Sequence, residues 1–309
     1  MQELQTLAQQ YPGVIQFFFF GIGACLGSFF NVCIYRIPEE RSIIFPRSQC
    51  GCGKSIPWFD NFPILSWLIL RGKARCCGRK FSIRYPFVEL LTALLFLYAW
   101  QLFGLQNPSL AFGTMLLCCC LIPSVFIDFD HMVIPDLFSV GGTVVGVLYS
   151  FWQPHLHGIE GAGIPACILG AKESILGVCI GSAFVYWIGV LGEAALRKEA
   201  MGEGDVKFIG CIGAFLGWQG AIFSLFGGAC AGLILLIPFL LIQKLRSPKE
   251  ATNSDPDAES SPDTIGVGVH IPFGPMLALG ALLYIFFFQE YTDAYFQNIW
   301  QILNEFANS

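Results

Sequence analysis

Asp205 stands in Met201–Gly210, MGEGDVKFIG, where the glycines on either side of Glu203 let the backbone turn tightly or let another chain approach closely. An apolar tract continues behind it almost unbroken from Phe208 to Ile242. A carboxylate at membrane depth is costly and usually faces an interior site rather than lipid. A second acidic cluster, IDFDHMVIPD from Ile127 to Asp136, interrupts another long apolar tract. Two carboxyl groups that converge in a low-dielectric site repel each other, so one keeps its proton. The ionised partner can take a proton from water while the neutral one polarises a carbonyl, an aspartic-protease division of labour. The competing reading is that these acids only cap helices or mark turns at the interface.

Three acids compete to partner Asp205: Asp128, Asp130 and Asp136. At about 100° per helical residue Asp128 and Asp130 point to nearly opposite faces, so both cannot face it. Asp136 follows Pro135 and starts the next apolar run, where an acid has an ordinary capping use. Asp128 ends the uncharged run directly and lies deepest by sequence. Glu203 reads as a polar cap and His131 as a surface residue. Lys207 either stabilises an ionised carboxylate, contacts lipid phosphate or anchors the topology, the last being its usual role at an interface.

The elements that must position these acids are membrane helices. The chain is 55% hydrophobic and only 13% charged, which sets it apart from an ordinary soluble domain. Val14–Tyr35 is uncharged and long enough to span. The first thirteen residues carry no Lys or Arg, so this run reads as a retained span, not a cleaved signal. Leu90–Ile127 is too long for one helix and divides at Gly104–Pro108. Leu137–Gln153 and Ser174–Gly192 are further spans, with Pro154–Lys172 read as a loop. Phe208–Ile242 divides at Gly217–Gly220, its first piece short enough to be re-entrant, and Ile271–Gln289 closes the set. The expected fold is therefore all-α and polytopic, with about eight transmembrane helices.

Four regions follow: a first helix at 1–35, a basic Cys-containing loop domain at 36–86, a membrane core at 87–290, and an amphipathic tail at 291–309. Within the core, 245–269 is rich in Ser, Pro and Asp and reads as a flexible loop. Eight spans with the 36–86 loop in the cytoplasm put sixteen of the seventeen Lys and Arg on that side, leaving only Lys172 outside. Both acidic clusters then fall on the cytoplasmic side, where Asp128 and Asp205 can meet. A proton- or cation-coupled transporter is the rival class. The lack of a visible internal repeat and the same-side acids argue against it.

The chain resembles the bacterial type IV prepilin peptidases, membrane aspartic proteases of the GxGD kind. The resemblance rests on GSFFNVCIYRIP (Gly27–Pro38), NFPILSWLILRGKARCCG (Asn61–Gly78) and RYPFVELLTALLF (Arg84–Phe96). It continues through IDFDHMVIPD, MGEGDVKF, GAFLGW (Gly213–Trp218) and IPFGPMLALGA (Ile271–Ala281), in order and spacing. It implies an inner-membrane endopeptidase that cuts the short basic leader of prepilins and pseudopilins after a Gly at the cytoplasmic face. Asp128 and Asp205 match the catalytic pair, and Pro272–Pro275 lies near the active site in the family. Members with the large loop usually also methylate the new N-terminal residue with S-adenosylmethionine; a peptidase-only enzyme is the closer rival. The implied partners are prepilin-like substrates and membrane lipid, with no nucleic acid.

Thirteen cysteines are present, and only Cys50, Cys52, Cys76 and Cys77 lie in the polar, basic segment. The family's usual pattern there is a pair of Cys-x-x-Cys knuckles, a zinc signature. Here the spacing is contracted to Cys50-Gly51-Cys52 and to adjacent Cys76-Cys77. Four thiolates in a reducing compartment still suit a structural zinc; the alternative is four free thiols.

Overall fold

The computed structural model describes residues 2–197, 201–246 and 272–308. Its helices are α1 (Gln2–Gln10), α2 (Pro12–Arg36), α3 (Leu65–Ile69), α4 (Arg84–Phe103), α5 (Pro108–His131), α6 (Asp136–Trp152), α7 (Ile164–Leu196), α8 (Glu203–Arg246), α9 (Gly274–Leu283) and α10 (Gln289–Asn308). No strand occurs among the described residues; two isolated antiparallel bridges, Gln49 with Ser55 and Lys73 with Lys80, lie in the cysteine loop. Six helical segments are long and apolar enough to cross a membrane, in α2, α4, α5, α7, α8 and α9–α10, and α6 is a shorter apolar helix of 17 residues.

Local chemistry sets the boundaries. The α4–α5 break falls where the sequence places it: the Asn107 side chain accepts from Leu110 N at 3.1 Å and Pro108 occupies the first turn. Pro12 likewise sits in the first turn of α2, there without a side-chain cap. The reading of Pro154–Lys172 as a loop is corrected: only 154–163 is loop-like, and α7 already begins at Ile164. Gly163 at φ 91° makes the turn and Pro165 sits in the first helical turn, so two residues that look like breakers mark a helix start. The tail residues 291–308 fall in helix α10, which α9 enters through a π turn at Tyr284–Phe288 without a break. Most of the 245–269 loop lies outside the described residues.

Within α8 the chain turns back on itself. Gly217 has φ 70° and ψ −177°, a conformation essentially reserved for glycine. A Cβ at Gly181 would lie 3.0 Å from Ala221 Cβ and 3.4 Å from Ile209 O. In an unbroken helix those two residues would stand ~18 Å apart along the axis, so α8 has two antiparallel arms. The first arm packs on α7 with Gly177 against Gly213, backbone to backbone, leaving no room for a side chain at either position. The returning arm lies antiparallel to α9, pairing Gly220 with Tyr284, Ser224 with Gly280 and Gly228 with Met276. Behind the turn, Ser150 Oγ and His157 Nε2 hydrogen-bond at 3.0 Å. Burial pushes the His157 imidazole down to about 4, so it is neutral.

This topology brings the last turn of α5 and the first turns of α4, α6, α8 and α9 to one end of the bundle. The cysteine loop is tied to that end. Arg36 donates to Ser42 O and Pro46 O at 2.9 and 2.8 Å, and Asn31 Nδ2 donates to Tyr85 O at 3.0 Å.

Candidate active site

Asp128, in the last turn of α5, is buried, with 6% exposure, and Asp205 is half-buried in the first turn of α8. A carboxylate in a helix's first turn is favoured by the helix dipole. The two carboxyl groups lie within electrostatic reach of each other. Ile134 marks the junction: an added Cβ on Gly204 would meet its Cβ at 3.4 Å, and one on Gly274 would meet its Cδ1 at 3.1 Å. Gly274 N, at the start of α9, donates to Asp128 Oδ2 at 3.1 Å.

The neighbouring acids are spoken for. Asp130 accepts from Arg84 Nη1 at 2.6 Å, and the same guanidinium donates to Phe126 O at 3.1 Å. Asp136 begins α6 and accepts from Lys207 Nζ at 2.9 Å. Lys207 thus neither contacts Asp205 nor stands free, and such exposed, solvent-screened pairs add little to stability. Among the described residues no Lys or Arg pairs with Asp128 or Asp205. Glu203 and His131 are exposed, as expected.

Two parts of the site escape sequence reasoning. Gly274 contributes a backbone N–H, which no side-chain pattern reveals, although PFGP had marked the segment. Its lack of a side chain matters too: a Cβ there would lie 2.6 Å from Asp128 Oδ2. Gly274→Val is therefore expected to displace the carboxylate and cut activity about 100-fold without unfolding the bundle, checked by rate and by thermal melting in detergent. The second is Glu89, buried in α4, whose Oε2 accepts from Ile64 N at 2.7 Å and so pins the cysteine loop to the membrane core. A lone acid ahead of the uncharged Leu90–Ile127 run was the available signal.

The four loop cysteines converge. Cys50 and Cys77 Sγ lie 3.4 Å apart, as do Cys52 and Cys76, and all four sulfurs fall within 4.8 Å of one another. A tetrahedral zinc with Zn–S near 2.3 Å would set sulfurs about 3.8 Å apart, so the donor set fits. A hydrogen bond from the Cys52 backbone, with the adjacent thiols of Cys76 and Cys77, lowers the Cys50 thiol to about 7. Two tight turns bring the ligands together: Cys50 N donates to Lys54 O, and Ala74 N to Arg79 O, each at 2.8 Å.

An all-α bundle of membrane-length helices that brings two carboxyl groups to one end, neither ion-paired among the described residues, has the form of a membrane-embedded peptidase. The chain belongs to the type IV leader peptidase family. That family's model matches residues 115–237, and the model described as the bacterial peptidase A24 N-terminal domain matches residues 22–103. A Myxococcus xanthus protein named prepilin leader peptidase/N-methyltransferase is 34% identical over 250 residues, 80% of this chain and 70% of its own. A Klebsiella pneumoniae protein of the same name is 35% identical over 223 residues, covering 70% of this chain and 91% of its own. The Escherichia coli type 4 prepilin-like proteins leader peptide-processing enzyme is 32% identical over 297 residues, 90% of this chain and 96% of its own. No solved structure matches the chain.

Proposed function

We propose that this protein cleaves the short basic leader of prepilins or pseudopilins after a Gly at the cytoplasmic face of the inner membrane, and methylates the new N-terminal residue. The observation that carries the reading is the meeting of Asp128 and Asp205, with no Lys or Arg paired to either among the described residues, in a chain of the leader peptidase family. In cleavage the ionised carboxylate of the pair takes a proton from water, and the resulting hydroxyl adds to the scissile carbonyl. The protonated partner hydrogen-bonds the carbonyl oxygen as it gains charge. Collapse of the tetrahedral intermediate passes a proton to the leaving amine and restores the pair. Gly274 N–H fixes one carboxyl oxygen throughout, which keeps the two acids in different roles.

S-adenosylmethionine would supply the methyl group for the freed amine. The cysteine loop, 36–86, is the region we associate with that second activity, held against the 87–290 peptidase core by Glu89. Cys50, Cys52, Cys76 and Cys77 would hold a structural zinc there. The convergence of the four thiols, despite their contracted spacing, favours the bifunctional reading over a peptidase alone.

Orientation rests on charge. With α6 and both arms of α8 crossing, the spans number eight, both termini are periplasmic, and the acids face the cytoplasm with sixteen of seventeen basic residues. A reporter fused near Ser254 is expected to be cytoplasmic; a periplasmic signal would overturn this topology. For the activity, detergent-solubilised protein incubated with a prepilin and methyl-labelled S-adenosylmethionine should yield a shortened, labelled product. An intact, unlabelled prepilin would contradict the assignment.

A further inference from the structure

An apolar cavity of about 490 Å³ opens between α4, α5, α9 and Gly232 on the returning arm of α8, and every residue of its wall is apolar. One end of its lining adjoins the Asp128–Gly274 contact. Val125 and Phe129, which line it, stand three residues before and one after Asp128, while Pro275 and Met276 directly follow Gly274. From there the α5 wall runs to Leu121 and the α9 wall to Leu282. Eight and seven helical residues make a trough roughly 10–12 Å long, about two helical turns.

We propose that this trough is the subsite for the substrate residues that follow the scissile bond, and that it takes them as an apolar helix. The inference rests on the peptidase reading above. A peptide that reaches Asp128 along an apolar, membrane-depth wall must satisfy its own backbone N–H and C=O groups, and a helix does so. The volume falls in the range of specific ligand pockets, about 300–1,000 Å³, enough for a few anchoring side chains rather than a whole helix. That is how an amphipathic or apolar helix seats in a groove, through residues at i, i+3, i+4 and i+7. Pro275, Ala278, Leu279 and Leu282 on α9 present a wall at that spacing, with Leu95 of α4 opposite. The scissile bond, just upstream, stays extended beside the carboxyl pair, and the helix fixes its register.

The test uses the full chain in nanodiscs and a synthetic substrate: a basic leader, Gly, Phe and about twenty apolar residues, enough to span. Photo-leucine four residues after the Gly is cross-linked to the Asp205→Asn variant, which leaves substrate uncut. Cross-links to Val125–Phe129 or Met276–Leu282 are expected; cross-links to other helices, or to lipid alone, overturn the proposal. In the otherwise wild-type protein, Leu279→Trp fills the trough and should raise KM about 10-fold with a far smaller change in kcat, the mark of lost substrate binding. An unchanged KM also overturns it. Failure of the wild-type protein to cut any such substrate would instead remove the peptidase reading on which the subsite rests.

Discussion

Asp128→Asn and Asp205→Asn are each expected to lower leader cleavage by about 1,000-fold or more, with folded protein still inserted in the membrane. General acid–base work contributes about 10²–10⁴ to a rate, and an amide can neither take the proton from water nor return it to the leaving amine. Asp130→Asn and Asp136→Asn should retain clear activity, because each loses only an exposed ion pair, with Arg84 or Lys207. The pair acts as one unit, so the double variant should be scarcely slower than either single one. Quantitative cleavage assays on membranes with matched protein levels check all five. Strong activity in Asp128→Asn with loss in Asp130→Asn would move the first carboxyl to Asp130 and break the account.

The second large effect concerns the loop. Between Ile37 and Ile83 only Cys50, Ser66, Gly72 and Ala74 are buried, so this segment of fewer than fifty residues has almost no core of its own. Chains that small usually need a metal, disulfides or a partner to hold one structure. The Arg75–Asp60 pair, at 2.8 Å and mostly exposed on the arginine side, adds little. Structural zinc in small peptides contributes on the order of 10 kcal/mol, enough to supply what packing does not. Purified protein is therefore expected to carry one zinc per chain. Replacing Cys50 and Cys77 together by Ser should release it, raise protease cutting within 37–83 and abolish methylation, while cleavage falls much less. Metal-free protein with a protease-resistant loop would remove the zinc.

Much of the candidate site is legible because its signals are local. A charge that ends an uncharged run is visible without any partner, which is why Asp128 and Asp205 stand out. Asn107-Pro108 and Gly217 declare a cap and a turn by chemistry that needs no tertiary context. What stayed hidden depends on distant contacts. Glu89 means nothing until Ile64, twenty-five residues earlier, aims its N–H at it. Gly274 looks like part of a turn until its bare Cα and N–H are seen against Asp128. The Gly- and Pro-rich stretch before Cys167 misled for the opposite reason: the same residues that break helices also begin them, and only packing of Gly170 on Ser150 and Pro154 decides.

The most direct measurement is the N-terminal mass of a prepilin coexpressed with this protein or with its Asp128→Asn variant. With the wild-type protein the expected product starts just after the leader Gly and carries one added methyl group; with the variant the leader stays intact. A processed N-terminus in the presence of Asp128→Asn, or an intact leader with the wild-type chain, would contradict the peptidase reading.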